Sequence, residues 1–227
     1  MLKLRILLHM LSPMRAFALI AALFLALPAA AQSERTGRPF DYYLLALSWS
    51  PEYCASEARD RADPQCRSQP PKGLVVHGLW PQYEDGGWPS ACQPANRLPE
   101  RLIERLGPAM PSPRLAQHEW NRHGTCSGLD MDAYADAILN AFAALRLPDT
   151  LRPAPLERTI RLIDLKRQLA QANPGLDPAM IAVACTPRGV ELKEIRICLD
   201  KRLAFRRCGA KVRDHCPQEP IHLRPTR

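Results

Sequence analysis

The chain has 227 residues, a formal net charge of +8 and eight cysteines. A membrane span needs about 20 consecutive apolar residues, and no such run lies beyond the N-terminal region, which argues against an integral membrane protein. The basic balance favours polyanionic partners such as nucleic acid or an anionic lipid surface.

The N-terminus begins basic, at Lys3 and Arg5, and carries a second methionine at Met14 before Arg15. An apolar run from Ala16 to Leu27 follows, then Pro28 and three alanines. This pattern predicts a secretory signal peptide over residues 1–31, cleaved between Ala31 and Gln32, with Met14 as an alternative start. Cleavage removes Lys3, Arg5 and Arg15 and no acid, so the mature chain, 32–227, carries +5. Its length suits one domain with a sizeable core, monomer being the default. All eight cysteines fall in this part. An even number in an exported chain implies disulfides, and their pairing is left open.

Residues 32–38 are polar and predict a loose N-terminal tail. The segment from Asp41 to Trp49 is apolar and aromatic and stops at Pro51, which predicts a buried strand. The next stretch, with Cys54, Cys66 and several prolines, predicts a loop pinned by a local disulfide. Gly73 to Gln82 is a β-branched strand with His77 towards its end. The turn-rich loop from Tyr83 to Cys92 places Trp88 either as a plug over the core or as a stacking platform. Residues 97–106 fit a short amphipathic helix stopped by Gly107-Pro108, and Met110-Pro111-Ser112-Pro113 forms a rigid connector.

The connector leads into His118-Glu119-Trp120-Asn121-Arg122-His123-Gly124-Thr125-Cys126. On a helix, His118, Arg122, Glu119 and His123 fall at about 0°, 40°, 100° and 140°, a single polar face with Trp120 behind it. His118 with Arg122, and Glu119 with His123, are neighbours four residues apart. A zinc site is the competing use of these residue types. However, the metalloprotease helix motif spaces its histidines four apart and these are five apart, so no metal is expected.

Beyond Cys126, Asp130 or Asp132 is positioned to cap a helix to about Leu145, with Tyr134, Ile138, Leu139 and Phe142 at helical spacing. A proline-broken loop, a helix from about Leu162 to Gln171 and a stop at Asn173-Pro174-Gly175 come next. Strands are expected at Ile181 to Cys185, at Val190 to Leu199, whose alternation implies one solvated face, and at Leu203 to Phe205. Arg206, Arg207, Lys211 and Arg213 make the C-terminal end basic. The whole predicts a single α+β domain, a central antiparallel sheet flanked by helices and stapled by disulfides.

Two imidazoles of ordinary pKa can serve as acid and base in one turnover. RNA cleavage needs that division, since one proton leaves the 2′-hydroxyl and another goes to the departing 5′-oxygen. His77-Gly78-Leu79-Trp80-Pro81 and His118-Glu119-Trp120-x-x-His123-Gly124-Thr125-Cys126 resemble the two signature segments of the ribonuclease T2 family. The resemblance extends to the stretch from Tyr42 to Pro51 and to the C-terminal cysteine pattern, and so covers most of the mature chain.

The resemblance implies an exported, broad-specificity endoribonuclease, secreted or periplasmic, that forms 2′,3′-cyclic phosphates and then 3′-phosphates without a cofactor. It makes His123 the general base, His77 the general acid, Glu119 a carboxylate assisting at the phosphate and His118 a phosphate ligand. Arg122 stands where the family usually has lysine, and a planar guanidinium replaces a point charge. Gln82 stands where some relatives carry aspartate, and Trp80 and Trp88 match base-stacking positions. The resemblance also pairs Cys92 with Cys126, Cys185 with Cys216 and Cys198 with Cys208, leaving Cys54 for Cys66. Two other readings remain: a catalytically weak RNA-binding protein on the same scaffold, which the presence of all three histidines opposes, and a secreted zinc hydrolase.

Overall fold

A computed structural model of the chain describes residues 38–57, 62–187 and 189–226. The signal peptide, its cleavage site and most of the expected tail lie outside the described residues. β1 (Tyr42–Trp49) is the apolar segment, and its side chains are almost all buried because it is an inner strand. β2 (Leu74–Gln82), β4 (Ile181–Cys185) and β5 (Leu192–Leu199) complete an antiparallel sheet in the order β2-β1-β5-β4. Pro81 is tolerated within β2 because that strand is an edge. A separate two-stranded ladder joins β3 (Arg158–Ile160) to β6 (Ile221–Leu223), two strands too short for periodicity to announce.

One face of the sheet carries the main core. Tyr43, Leu45, Leu47 and Trp49 of β1 meet Val76 and Leu79 of β2 and Ile195 and Ile197 of β5 there. Four helices close over this core: α3 (Glu100–Leu106) through Leu102, α4 (Pro113–Arg122) through Trp120, α5 (Met131–Ala143) through Ile138, and α6 (Leu162–Ala172) through Leu165 and Leu169. α3 starts later than residue 97 because Pro99 occupies its N-cap position. Asp130, rather than Asp132, caps α5 by accepting from the Ala133 amide at 2.8 Å. The pinned loop after β1 holds two short helices, α1 (Ser50–Glu52) and α2 (Pro64–Arg67).

Disulfides join Cys54 to Cys66, Cys92 to Cys126, Cys185 to Cys216 and Cys198 to Cys208, the pairs that the resemblance implied. Three expectations change. Leu203 to Phe205 forms a turn: Asp200 accepts from the amides of Arg202 and Ala204, Leu203 takes φ 66°, and an isolated bridge joins Phe205 to Leu199. The second face of β5 is not solvated, since Glu194 is 3% exposed there. His77 stands inside β2, not at its end.

Candidate active site

Alternation would send His77 and Trp80, three residues apart on one strand, to opposite faces of the sheet. The β1–β2 register prevents this. Ala46 faces Gly78 while its neighbour Leu47 faces Val76, so His77 is an extra residue in β2, a bulge that resets the alternation. Gly78, Trp80 and Gln82 thereby share a face with Ala46, Leu44 and Tyr42. The bulge also brings His77 to Trp80, with ring centroids 5.1 Å apart.

α4 approaches the same edge strand. Pro113 opens it with a fixed φ that suits the first turn. Trp120, 8% exposed, is its anchor in the core, as the helical angles required. The helix ends at Arg122, so His123 is its C-cap, with φ −124° and its amide bonded to the Glu119 carbonyl at 2.9 Å. Just beyond, the Cys92–Cys126 disulfide and a bond from the Ala91 amide to the Arg122 carbonyl at 3.0 Å fasten the loop after β2 to this helix end.

Glu119 is the meeting point of the two elements. It is 1% exposed. The Trp80 indole N–H donates to its Oε2 at 2.6 Å. His77 Nε2 lies 3.8 Å from Oε1, and His123 Nε2 lies 4.0 Å from Oε2. Gly78 is required here, because a methyl built on it would stand 2.0 Å from Glu119 Oε2 and 2.2 Å from Trp80 Nε1. Burial pushes the Glu119 carboxyl up to about 7, against the lowering pull of His77 and of the Trp80 hydrogen bond.

The two imidazoles are held differently. His77 Nδ1 lies 2.6 Å from Glu194 Oε2 of β5. Burial pulls His77 down, but the hydrogen bond and charge of Glu194, with Glu119 adding to them, outweigh it and hold His77 above its ordinary value. His123 packs its ring against Trp80, centroids 5.4 Å apart, and its buried Nδ1 has no hydrogen-bond partner among the described residues. Burial, helped by the charges of His118, Arg122 and His77, pushes His123 down to about 3.

A cavity of about 430 Å³ opens from this cluster, lined by Trp80, Gln82, Trp88, Arg122, His123 and Arg196 among others. Trp88 is 57% exposed on its wall, which removes the core-plug alternative. Gln82 is buried, its amide donating to the Pro81 carbonyl at 3.0 Å. A second cavity of about 440 Å³ is lined by His77, His118, Arg114 and Lys193 among others. Among the described residues, no group of three or more His, Cys, Asp or Glu side chains is arranged to hold a metal ion.

The ribonuclease T2 family model matches residues 40–208. The chain belongs to the ribonuclease T2 family. That membership makes it an endoribonuclease. It is 43% identical over 183 residues to a ribonuclease of Aeromonas hydrophila, covering 76% of this chain and 78% of that protein. A probable ribonuclease of Haemophilus influenzae is 31% identical over 187 residues, covering 76% of this chain and 62% of that one. The fold is similar to that of an RNase-related protein from Calystegia sepium, with TM-score 0.60 and 23% identity over 83% of this chain and 98% of that one.

For this T2 ribonuclease, all eight expected site side chains, His77, Trp80, Gln82, Trp88, His118, Glu119, Arg122 and His123, lie in the central cluster or on the walls of the adjoining cavities. Glu194 and Arg196 are polar groups beside this cluster that the sequence left unassigned, and Lys211, read only as part of a basic C-terminal end, also lines the Trp80 cavity. The available signal for the first two was on β5. Apolar positions there change phase between Leu192 and Ile195, which places Glu194 and Arg196 together on the opposite face.

Proposed function

We propose that this T2 ribonuclease is exported, that residues 32–227 form its catalytic domain after removal of a signal peptide, and that it cleaves single-stranded RNA with His123 as general base and His77 as general acid. The observation that carries this division is the opposite surroundings of the two rings. With His123 pushed down to about 3, the ring is unprotonated at pH 7 and its nitrogen is vacant for a proton. His77, raised by its carboxylate neighbours, is the ring that keeps a proton to give. Reversing the roles would need the proton on the less basic ring and the vacancy on the more basic one.

In the first step His123 Nε2 takes the proton of the 2′-hydroxyl. The oxygen attacks phosphorus, and His77 Nε2 donates its proton to the departing 5′-oxygen. The products are a 2′,3′-cyclic phosphate end and a 5′-hydroxyl end. Arg122 and His118, on the cavity walls, stabilise the charge that accumulates on the phosphorane. Glu119, kept partly protonated at pH 7 by its burial, donates a hydrogen bond there in its neutral form. In the second step neutral His77 accepts a proton from water, whose oxygen attacks the cyclic phosphate, and protonated His123 returns its proton to the 2′-oxygen. A 3′-phosphate results.

Trp88 and Trp80 offer stacking surface and Gln82 an amide, which suits RNA of broad sequence. The disulfides suit an oxidising compartment, and so support export. The deciding experiment is digestion of a synthetic single-stranded RNA in excess chelator, with mass analysis of the ends. Cyclic phosphates should appear first and 3′-phosphates later, and the corresponding DNA, lacking the attacking hydroxyl, should stay intact. Direct formation of 3′-hydroxyl ends, or loss of activity with chelator, would overturn the mechanism.

A further inference from the structure

We propose that Glu194 is a positioning residue for His77, fixing its tautomer and holding its charge from a strand that supplies no group to the reacting atoms. The inference rests on the two-imidazole reading above. Its geometric basis is a line of groups from Arg196 to Glu119. Arg196 Nε donates to Glu194 Oε1 at 2.6 Å, and Glu194 Oε2 meets His77 Nδ1 at 2.6 Å. His77 Nε2, on the far side of the ring, faces Glu119. An ionised carboxylate only accepts hydrogen bonds. Nδ1 therefore keeps its hydrogen in both protonation states, and Nε2 is the nitrogen that gives and regains the catalytic proton.

The fold departs from regularity twice to build this contact. The bulge in β2 adds His77, and a second irregularity lies between β4 and β5, where Ala184 faces Glu194 while Cys185 faces Leu192. Lys193 is the extra residue there, and Glu194 moves to the face that the first bulge gives His77. The strand between them, β1, presents Ala46 and Ser48 at the matching register positions, opposite Arg196 and Glu194. Both are small, which leaves room for the imidazole and the carboxylate to meet across the strand. A buried charged pair is a poor source of net stability. Orientation of a catalytic ring gives this one a use.

The charged and titratable groups around His77 have opposing effects. Glu194 from β5 and Glu119 from α4 favour its protonated form, while Arg196 from β5 disfavours it. The charges of His77 and His118 oppose each other, and Lys193 shares a cavity lining with both. Arg196 also lies 5.7 Å from the Trp80 ring, so the pair connects the carboxylate to the wall of the cavity that Trp80 and Trp88 line.

The test uses the full chain with Glu194→Gln, Glu194→Ala and Arg196→Gln. The readouts are the pH profile of kcat/KM and the imidazole titration of His77 by nuclear magnetic resonance. Glu194→Gln keeps an acceptor for Nδ1 and removes the charge, so the His77 titration and the basic limb of kcat/KM should both move down by about 1 pH unit or more. Activity at neutral pH should fall about tenfold with little change in KM. Glu194→Ala should lose more, because the ring also loses its orientation. Arg196→Gln should move the titration upward, which keeps the test decisive if both Glu194 variants fold poorly. An unmoved His77 titration in Glu194→Gln, or a downward shift in Arg196→Gln, would overturn the proposal. If His77→Ala cleaved RNA at the wild-type rate, the two-imidazole reading would fail, while the titration would still report on the Glu194 contact.

Discussion

The strand-borne His77 and the helix-borne His123 begin as the same side chain and end with opposite tendencies. His77 is part-exposed, and a carboxylate stands behind its Nδ1. His123 caps a helix, with its Nδ1 buried without a partner and an indole against its ring. A helix C-terminus ordinarily favours a protonated histidine. Here burial, with the charges of His118, Arg122 and His77, prevails and pushes His123 down to about 3. Under the proposed mechanism, an acid and a base are made from one residue type by choice of support: a sheet that carries a counter-charge across a small-residue strand, and a helix end sealed by an aromatic ring.

The sharpest way to break the comparison is to remove each ring. His77→Ala and His123→Ala should each lower kcat/KM by about 10²- to 10⁴-fold while the variants stay folded, as far-ultraviolet circular dichroism checks. In the proposed mechanism the rings act as a unit, so the double variant should lose little more than either single one. The wild-type pH profile of kcat/KM should show its acidic limb well below the ordinary histidine range and its basic limb above it. Two limbs that both fall near the ordinary histidine value would erase the proposed distinction.

Glu119 sharpens the comparison from between the rings. Its carboxyl sits at about 7 in the folded chain, so the fold binds that proton more tightly than the unfolded chain does. The resulting stabilisation is complete below about pH 4.3 and is lost as pH rises through 7, after which the native state holds a buried charge at a cost on the order of 3 kcal/mol. Glu119→Gln keeps an acceptor for the Trp80 N–H and cannot ionise. It should impair cleavage yet raise stability above pH 7, with the gain disappearing near pH 4, as read from urea midpoints at the two pH values. His123 runs the other way. Its depressed folded value gives stability that is complete above about pH 6.5 and lost as pH falls towards 3.

How much of this was legible in the residues follows from what each signal depends on. The helix carrying His118 to Arg122 was readable because its polar face and Trp120 obey one period, and β1 because an unbroken apolar run needs no partner to be recognised. The placing of His77 was not. A bulge is a property of two strands in register, and β2 alone reads as a strand whose His77 and Trp80 diverge. Glu194 was missed for the related reason that alternating charges on β5 read as a solvated face until another element is known to cover it. The aromatic positions were legible as residue types, but the use of the Trp80 N–H on Glu119 depends on the tertiary approach of α4 to Gly78.

The smallest effect belongs to Trp88, which lies on the cavity wall, 57% exposed, and makes no ring contact with either histidine. A base stacked on an aromatic ring contributes about 1–3 kcal/mol, and an exposed platform belongs at the lower end of that range. Trp88→Ala should therefore raise KM for a single-stranded RNA by roughly fivefold to tenfold and leave kcat nearly unchanged, the pattern expected when ground state and transition state lose the same contact. Leu156→Ala, at a position 76% exposed and outside the site, is the matching surface control and should change neither constant. The pH profile of Trp88→Ala should superimpose on that of the wild type after scaling, because the substitution alters neither the carboxylate behind His77 nor the aromatic wall of His123. A profile with a displaced limb would mean that the loop after β2 helps to set the basicity of a ring, and the contrast between the two histidines would then extend beyond the sheet and the helix that hold them.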